Sequence, residues 1–163
     1  MIVHMLLEGW HEEPLACSLI RYCGHEPGVV YGKKGCEYIR EKAKHFTYLA
    51  QPGNGLLVLT DFMDSGFLCP SEARRQYLQP HSSSIPTNFL CRFAVNELES
   101  WLMADREGMA DYLRIALANI PAYPETEPDP KKTLVNLARK SKVSRIRNAL
   151  IPPEHHGGVV GPG

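Results

Sequence analysis

The sequence has no excess of either charge, since its 18 basic and 18 acidic residues cancel over 163 positions. No global field draws it to nucleic acid or to an anionic membrane, and any such contact has to come from a local patch. Paired C-x-x-C spacing is missing as well. The five cysteines, Cys17, Cys23, Cys36, Cys69 and Cys91, are odd in number, which argues against a disulfide framework and a zinc knuckle and for a reducing cytoplasm. No apolar run approaches the length of a bilayer span, and Met1 to Glu8 carries no charged leader, so a cytoplasmic protein without membrane contact is expected. There is no Walker A loop either: Gly32-Lys33-Lys34-Gly35 lacks the G-x-x-x-x-G-K-[ST] spacing. Internal repeats and low-complexity blocks are absent, and the length suits one domain.

What is present is organised around Gly55-Leu56-Leu57-Val58-Leu59-Thr60-Asp61-Phe62-Met63-Asp64-Ser65-Gly66. Four consecutive apolar residues between two turn signals predict a strand covered on both faces, as in a parallel sheet. Asp61 and Asp64 then stand at its carboxyl end, where open α/β sheets bind ligands. The alternative is that both are ordinary turn residues.

Ile2 to Leu7 predicts a first buried strand ending in Glu8-Gly9. His11 to Cys23 predicts an amphipathic helix with two stripes, Leu15, Leu19, Tyr22 and Ala16, Ile20, Cys23, and with Glu12 and Glu13 facing the positive end of its dipole. Gly28 to Tyr31 is a short strand leading into Gly32-Lys33-Lys34-Gly35, which we read as a solvated turn, with phosphate contact as the alternative. A helix over Cys36 to Ala50, the central strand, a helix over Pro70 to Leu78, a polar loop over Gln79 to Thr87 and a strand over Phe89 to Val95 complete an alternating order. That order is the signature of an α/β sheet with right-handed crossovers.

At Asn96-Glu97-Leu98-Glu99 the period becomes helical. Asn96 and Glu99 fit a capping box, and Glu97 is either a ligand or a dipole-stabilising acid of the first turn. Acids dominate from Glu97 to Asp129. Lys131, Lys132, Arg139, Lys140, Lys142, Arg145 and Arg147 then follow with no acid before Glu154. We read this basic helical face as balancing the acidic segment or as plainly solvated, with a phosphodiester backbone as the alternative. His155 and His156 lie in a stretch without periodicity and are read as loop residues.

Glu8 and Asp61 thus end two buried strands, with Asp64 just beyond and Glu97 after a third. If those strands are parallel neighbours, their carboxylates converge. Clustered carboxylates repel unless a hard cation such as Mg²⁺ neutralises them, and such a site activates water and stabilises a phosphoryl group in transfer.

The order Leu6-Leu7-Glu8-Gly9, Val58-Leu59-Thr60-Asp61 and Ala94-Val95-Asn96-Glu97-Leu98-Glu99-Ser100-Trp101-Leu102-Met103-Ala104-Asp105 resembles a TOPRIM-like family of uncharacterised bacterial proteins, a domain of unknown function. The likeness extends through Asp129-Pro130-Lys131-Lys132 to Gly161-Pro162-Gly163, and the Glu-Leu-Glu-x-Trp-Leu-x-Ala-Asp segment is its specific part. The resemblance implies the TOPRIM fold shared by topoisomerases, primases and nucleases of the overcoming-lysogenization-defect type. It implies a Rossmann-like, mostly parallel sheet over residues 1–104 and a helical extension over 105–163. It further implies that Glu8 is an acid/base or metal-linked residue, that an Asp-x-Asp after the third strand holds Mg²⁺, and that relatives continue beyond the terminal Gly-Pro-Gly. Met63 stands where the second aspartate belongs, with Asp64 one position on.

The resulting expectation is a Mg²⁺- or Mn²⁺-dependent nuclease or phosphotransfer enzyme acting on nucleic acid. Glu8 and Asp61 are its catalytic candidates, Glu8, Asp61, Asp64 and Glu97 its metal candidates, and Lys33 and Lys131 its phosphate candidates. The alternative is a catalytically weak TOPRIM-like subunit that binds nucleic acid or a partner ATPase of a defence system. A third is a homodimer whose acids are merely loop residues.

Overall fold

The structure, a computed structural model, describes residues 1–63, 66–79 and 85–151. The chain divides into two compact units, Met1–Leu98 and Glu99–Gly163. Asp64, His155, His156, most of the predicted Gln79 to Thr87 loop and the terminal Gly-Pro-Gly lie outside the described residues.

The first unit is α/β. Its strands β1 (Ile2–Leu7), β2 (Glu26–Gly32), β3 (Asn54–Asp61) and β4 (Phe89–Ala94) form one sheet in the order β2-β1-β3-β4. Every pairing is parallel: Leu7 lies opposite Gly32 and Leu59, and Asp61 opposite Ala94. The two most continuous apolar runs are the two central strands, because only a central strand has both faces covered. Met5, Leu6, Leu7 and Val58 are accordingly inaccessible. On β4 the pattern alternates, with Phe89, Cys91 and Phe93 buried and Leu90 and Arg92 exposed, as on an edge strand covered on one side.

Leu6, Leu56, Val58, Phe89, Cys91 and Phe93 share one core with α2 (Cys36–Lys42) and α3 (Pro70–Leu78), through Ile39, Ala73, Tyr77 and Leu78. Met5 alternates to the opposite face and meets Cys17 of α1 (Glu12–Tyr22), sulfur to sulfur at 4.0 Å. Helices on both faces of a parallel sheet make the unit Rossmann-like. Of the two stripes on α1, Ala16 and Ile20 are buried, whereas Leu19 and Tyr22 are exposed. A helix with two adjacent apolar stripes turns only one to the sheet, and small Ala16 permits close approach.

The predicted helix over Cys36 to Ala50 is corrected: α-helix ends at Lys42 and a 3-10 segment spans Ala43–Leu49. Thr47 Oγ1 donates to the Lys44 carbonyl there at 3.0 Å, a local bond that competes with the regular ladder. β2 ends on Gly32 at φ +91°, where a Cβ would collide with the Leu7 carbonyl. Only glycine admits that approach.

α4 (Glu97–Ala104) carries the chain from the first unit into the second. The second unit contains α5 (Arg106–Leu113), α6 (Pro130–Lys140) and α7 (Ser144–Leu150). Met103, Ala110, Leu113, Ile120, Leu134, Leu137, Ala138 and Ile146 form its core. Asp105 and Asp129 cap α5 and α6, accepting from the N–H groups of Gly108 at 3.0 Å and Lys132 at 2.8 Å, as short polar side chains do at a helix start. No helix among the described residues is long and apolar enough to cross a membrane.

Candidate functional site

From β1 the chain runs through α1 to β2 on one side, and from β2 it returns past β1 to β3 on the other. The order therefore reverses between β1 and β3, and the crevice beyond their carboxyl ends is the topological switch point. Glu8 follows the last residue of β1 and Asp61 is the last residue of β3. Topology brings together residues that are 53 positions apart.

Glu8 Oε2 accepts from the Thr60 hydroxyl at 2.7 Å and lies 3.4 Å from the Asp61 backbone N–H. Thr60 is fully buried, so its hydroxyl needs a partner inside the protein. Asp61 is also buried, and its Oδ1 accepts from the Leu98 backbone N–H in the first turn of α4 at 3.1 Å. Consecutive strand residues face opposite sides of a sheet, which explains why Thr60 reaches Glu8 while Asp61 reaches the helix. Glu97, the first residue of α4, takes a left-handed φ of +63°, an unfavourable region for a residue with a Cβ.

The glycine-lysine loop is tied to the end of β1. Lys33 N–H donates to the Leu7 carbonyl at 2.8 Å and Gly35 N–H to the Glu8 carbonyl at 3.0 Å. The Lys33 ammonium lies 2.5 Å from Glu13 Oε2 and 3.6 Å from the centre of the Trp10 ring. Gly9 N–H donates to Glu12 Oε2 at 2.8 Å, so both acids of the first turn of α1 hold the segments that flank Glu8.

Of the predicted metal residues, Glu8 and Asp61 are joined at the end of β3, Glu97 begins the helix that Asp61 contacts, and Asp64 is outside the described residues. Among the described residues, no group of three His, Cys, Asp or Glu side chains is placed to hold a metal ion. Glu8 meets Asp61 through the latter's backbone N–H, while the Asp61 carboxylate contacts the Leu98 N–H; a Mg²⁺ ion bound through only one or two carboxylates would take its remaining ligands from water and substrate phosphate oxygens. Of the predicted phosphate residues, Lys33 is ion-paired within the first unit, and Lys131 belongs to the second, 3.9 Å from Glu99.

Two participants escaped the sequence reading. Thr60 had a signal, a hydroxyl inside an apolar run and directly before the strand-ending acid. Trp10, two residues past a strand-ending glutamate, had a weaker one. Comparison with protein-family models, with curated proteins and with solved structures finds no match to this chain.

Proposed function

We propose that the chain is a divalent-metal-dependent nuclease or related phosphotransfer enzyme of TOPRIM type, working on nucleic acid at the Glu8 and Asp61 edge. The observation that carries the reading is the bond from Thr60 to Glu8, which fixes one carboxylate next to the strand-ending Asp61 at the switch point of a parallel sheet. Mg²⁺ or Mn²⁺ held there by Glu8 and Asp61 would polarise a phosphoryl oxygen and make water a better nucleophile. The remaining work falls to the chain itself. Thr60 fixes the Glu8 carboxylate, and the Leu98 N–H fixes that of Asp61. Both acids are therefore set before substrate arrives, which is where most of the benefit of a preorganised site lies.

A second reading is supported by one specific observation. The Asp61 carboxylate accepts from the start of α4, as a structural cap does, and Met63 occupies the position expected of a second aspartate. On that reading the chain is a catalytically weak subunit that binds nucleic acid or a partner ATPase.

The two are separated by melting the parent, Glu8→Gln and Asp61→Asn in Mg²⁺, Mn²⁺ and EDTA, alongside assays of DNA and RNA cleavage. Both variants keep a hydrogen-bond acceptor and remove the charge. A ligand at 100 times its dissociation constant adds about 2.7 kcal/mol, on the order of 5 to 10 °C for a chain of this length. We expect that shift in the parent and its loss in both variants, together with metal-dependent cleavage that Asp61→Asn abolishes. Cleavage persisting in Asp61→Asn or in excess EDTA would remove the nuclease reading. A metal-independent melting profile with intact oligonucleotide binding would establish the subunit reading instead.

A further inference from the structure

Single exposed apolar side chains are ordinary, so the 70% exposure of Trp10 decides nothing alone. What distinguishes Trp10, two residues after Glu8, is the cation held over its ring. The Lys33 ammonium covers one face of the indole at 3.6 Å, within cation–π range. That ammonium is itself fixed by Glu13 at 2.5 Å, and the Lys33 backbone takes a left-handed φ of +60°. Lysine has no intrinsic reason to adopt that conformation. The bonds from Lys33 N–H to Leu7 and from Gly35 N–H to Glu8 hold this loop to the end of β1, while the bond from Gly9 N–H to Glu12 holds the segment that carries the indole. With its cationic side occupied and 70% of its surface accessible, the ring has its other face open to solvent.

We propose that Trp10 is a stacking shelf for a base of single-stranded nucleic acid, positioned so that the strand passes the Glu8 and Asp61 edge. This deepens the reading above and rests on its nucleic-acid part, not on catalysis. A rigid indole with one open face is what successive bases stack on in single-strand binding proteins, and sequence does not matter because every base has a π-face. The single strand is favoured over the duplex because a paired and stacked base has no face to offer. Lys33, neutralised by Glu13, serves as the back plate of the ring. Lys34 is exposed, with its ammonium 5.1 Å from the Tyr38 ring, and it supplies the phosphate contact one residue further along.

The test uses the full chain in EDTA, so that no cleavage intervenes, with a labelled eight-nucleotide oligothymidylate read by anisotropy. Trp10→Ala is expected to weaken binding roughly 5- to 100-fold, the range that removal of one stacked aromatic produces, and Trp10→Phe should recover most of it. In a Trp101→Phe background, Trp10 fluorescence should fall saturably with the oligonucleotide but not with inorganic polyphosphate of equal charge. Undiminished binding in Trp10→Ala, or equal quenching by polyphosphate, would overturn the shelf while leaving the nucleic-acid reading in place. Absence of oligonucleotide binding by the parent protein would overturn both.

Discussion

Two cysteines show how strongly the surroundings of one atom set its chemistry. Cys91 sits inside the core beneath α3, and burial pushes its thiol up to about 12. Cys69 is fully exposed just before α3; the Ser71 hydroxyl, 3.1 Å from its sulfur, and the neighbouring Glu72 backbone draw its pKa below the ordinary thiol value. The thiolate is the reactive form. At pH 7.5, a disulfide reagent is therefore expected to label Cys69 first and to leave Cys91 unmodified until the protein unfolds, with Ser71→Ala slowing the Cys69 phase. Peptide mapping of partly labelled protein checks this, and early labelling of Cys91 would contradict the packing described. Neither pKa difference is visible in the sequence, where each cysteine simply follows a leucine. Thr60 is an intermediate case: its position before Asp61 hints at a role, but its partner Glu8 lies 52 residues away.

Among the elements, α4 depends on a distant one. The described acceptor for its Leu98 N–H is Asp61 at the end of β3, whereas sequence spacing points to a capping box of Asn96 and Glu99. Glu99 also lies 3.9 Å from the Lys131 ammonium. Removing a helix-capping acceptor costs about 1 kcal/mol, within a range of roughly 0.5 to 2. Asp61→Ala should therefore lower the unfolding free energy by about that amount in EDTA, measured by urea denaturation, while Asp61→Asn, which still accepts, should lose much less. Equal losses would show that charge, not the cap, is what matters there. The strands and helices were largely legible because apolar periodicity alone marks them. The 3-10 segment Ala43–Leu49 was not, since its apolar residues also suit an α-helical pattern.

For the whole molecule, stability at high pH follows from the core. Tyr77 is buried against Phe93, with ring centres 5.3 Å apart, and burial raises its phenol from the ordinary 10.0 to about 12. The folded protein then holds this proton more tightly than the unfolded chain does. The contribution is complete below pH 10 and is lost as pH rises towards 12. Cys91 acts in the same direction from pH 9 upward. Urea midpoints should fall between pH 9 and 12, and Tyr77→Phe should flatten the part above pH 10; an unchanged slope in that variant would show that other groups drive alkaline unfolding. At this scale the sequence by itself determined the α/β class, the alternation of elements and the ends of the two central strands, because burial on both faces demands unbroken apolar runs that stop where polar residues begin. It also marked Glu8 and Asp61 as strand-end acids. Only the tertiary structure decided that β1 and β3 are neighbours, that the order reverses between them, and that Thr60 and Asp61 turn to different partners. Strand order and side-chain partners depend on contacts between residues some 50 positions apart, and no local period encodes which distant segment will fill a given face.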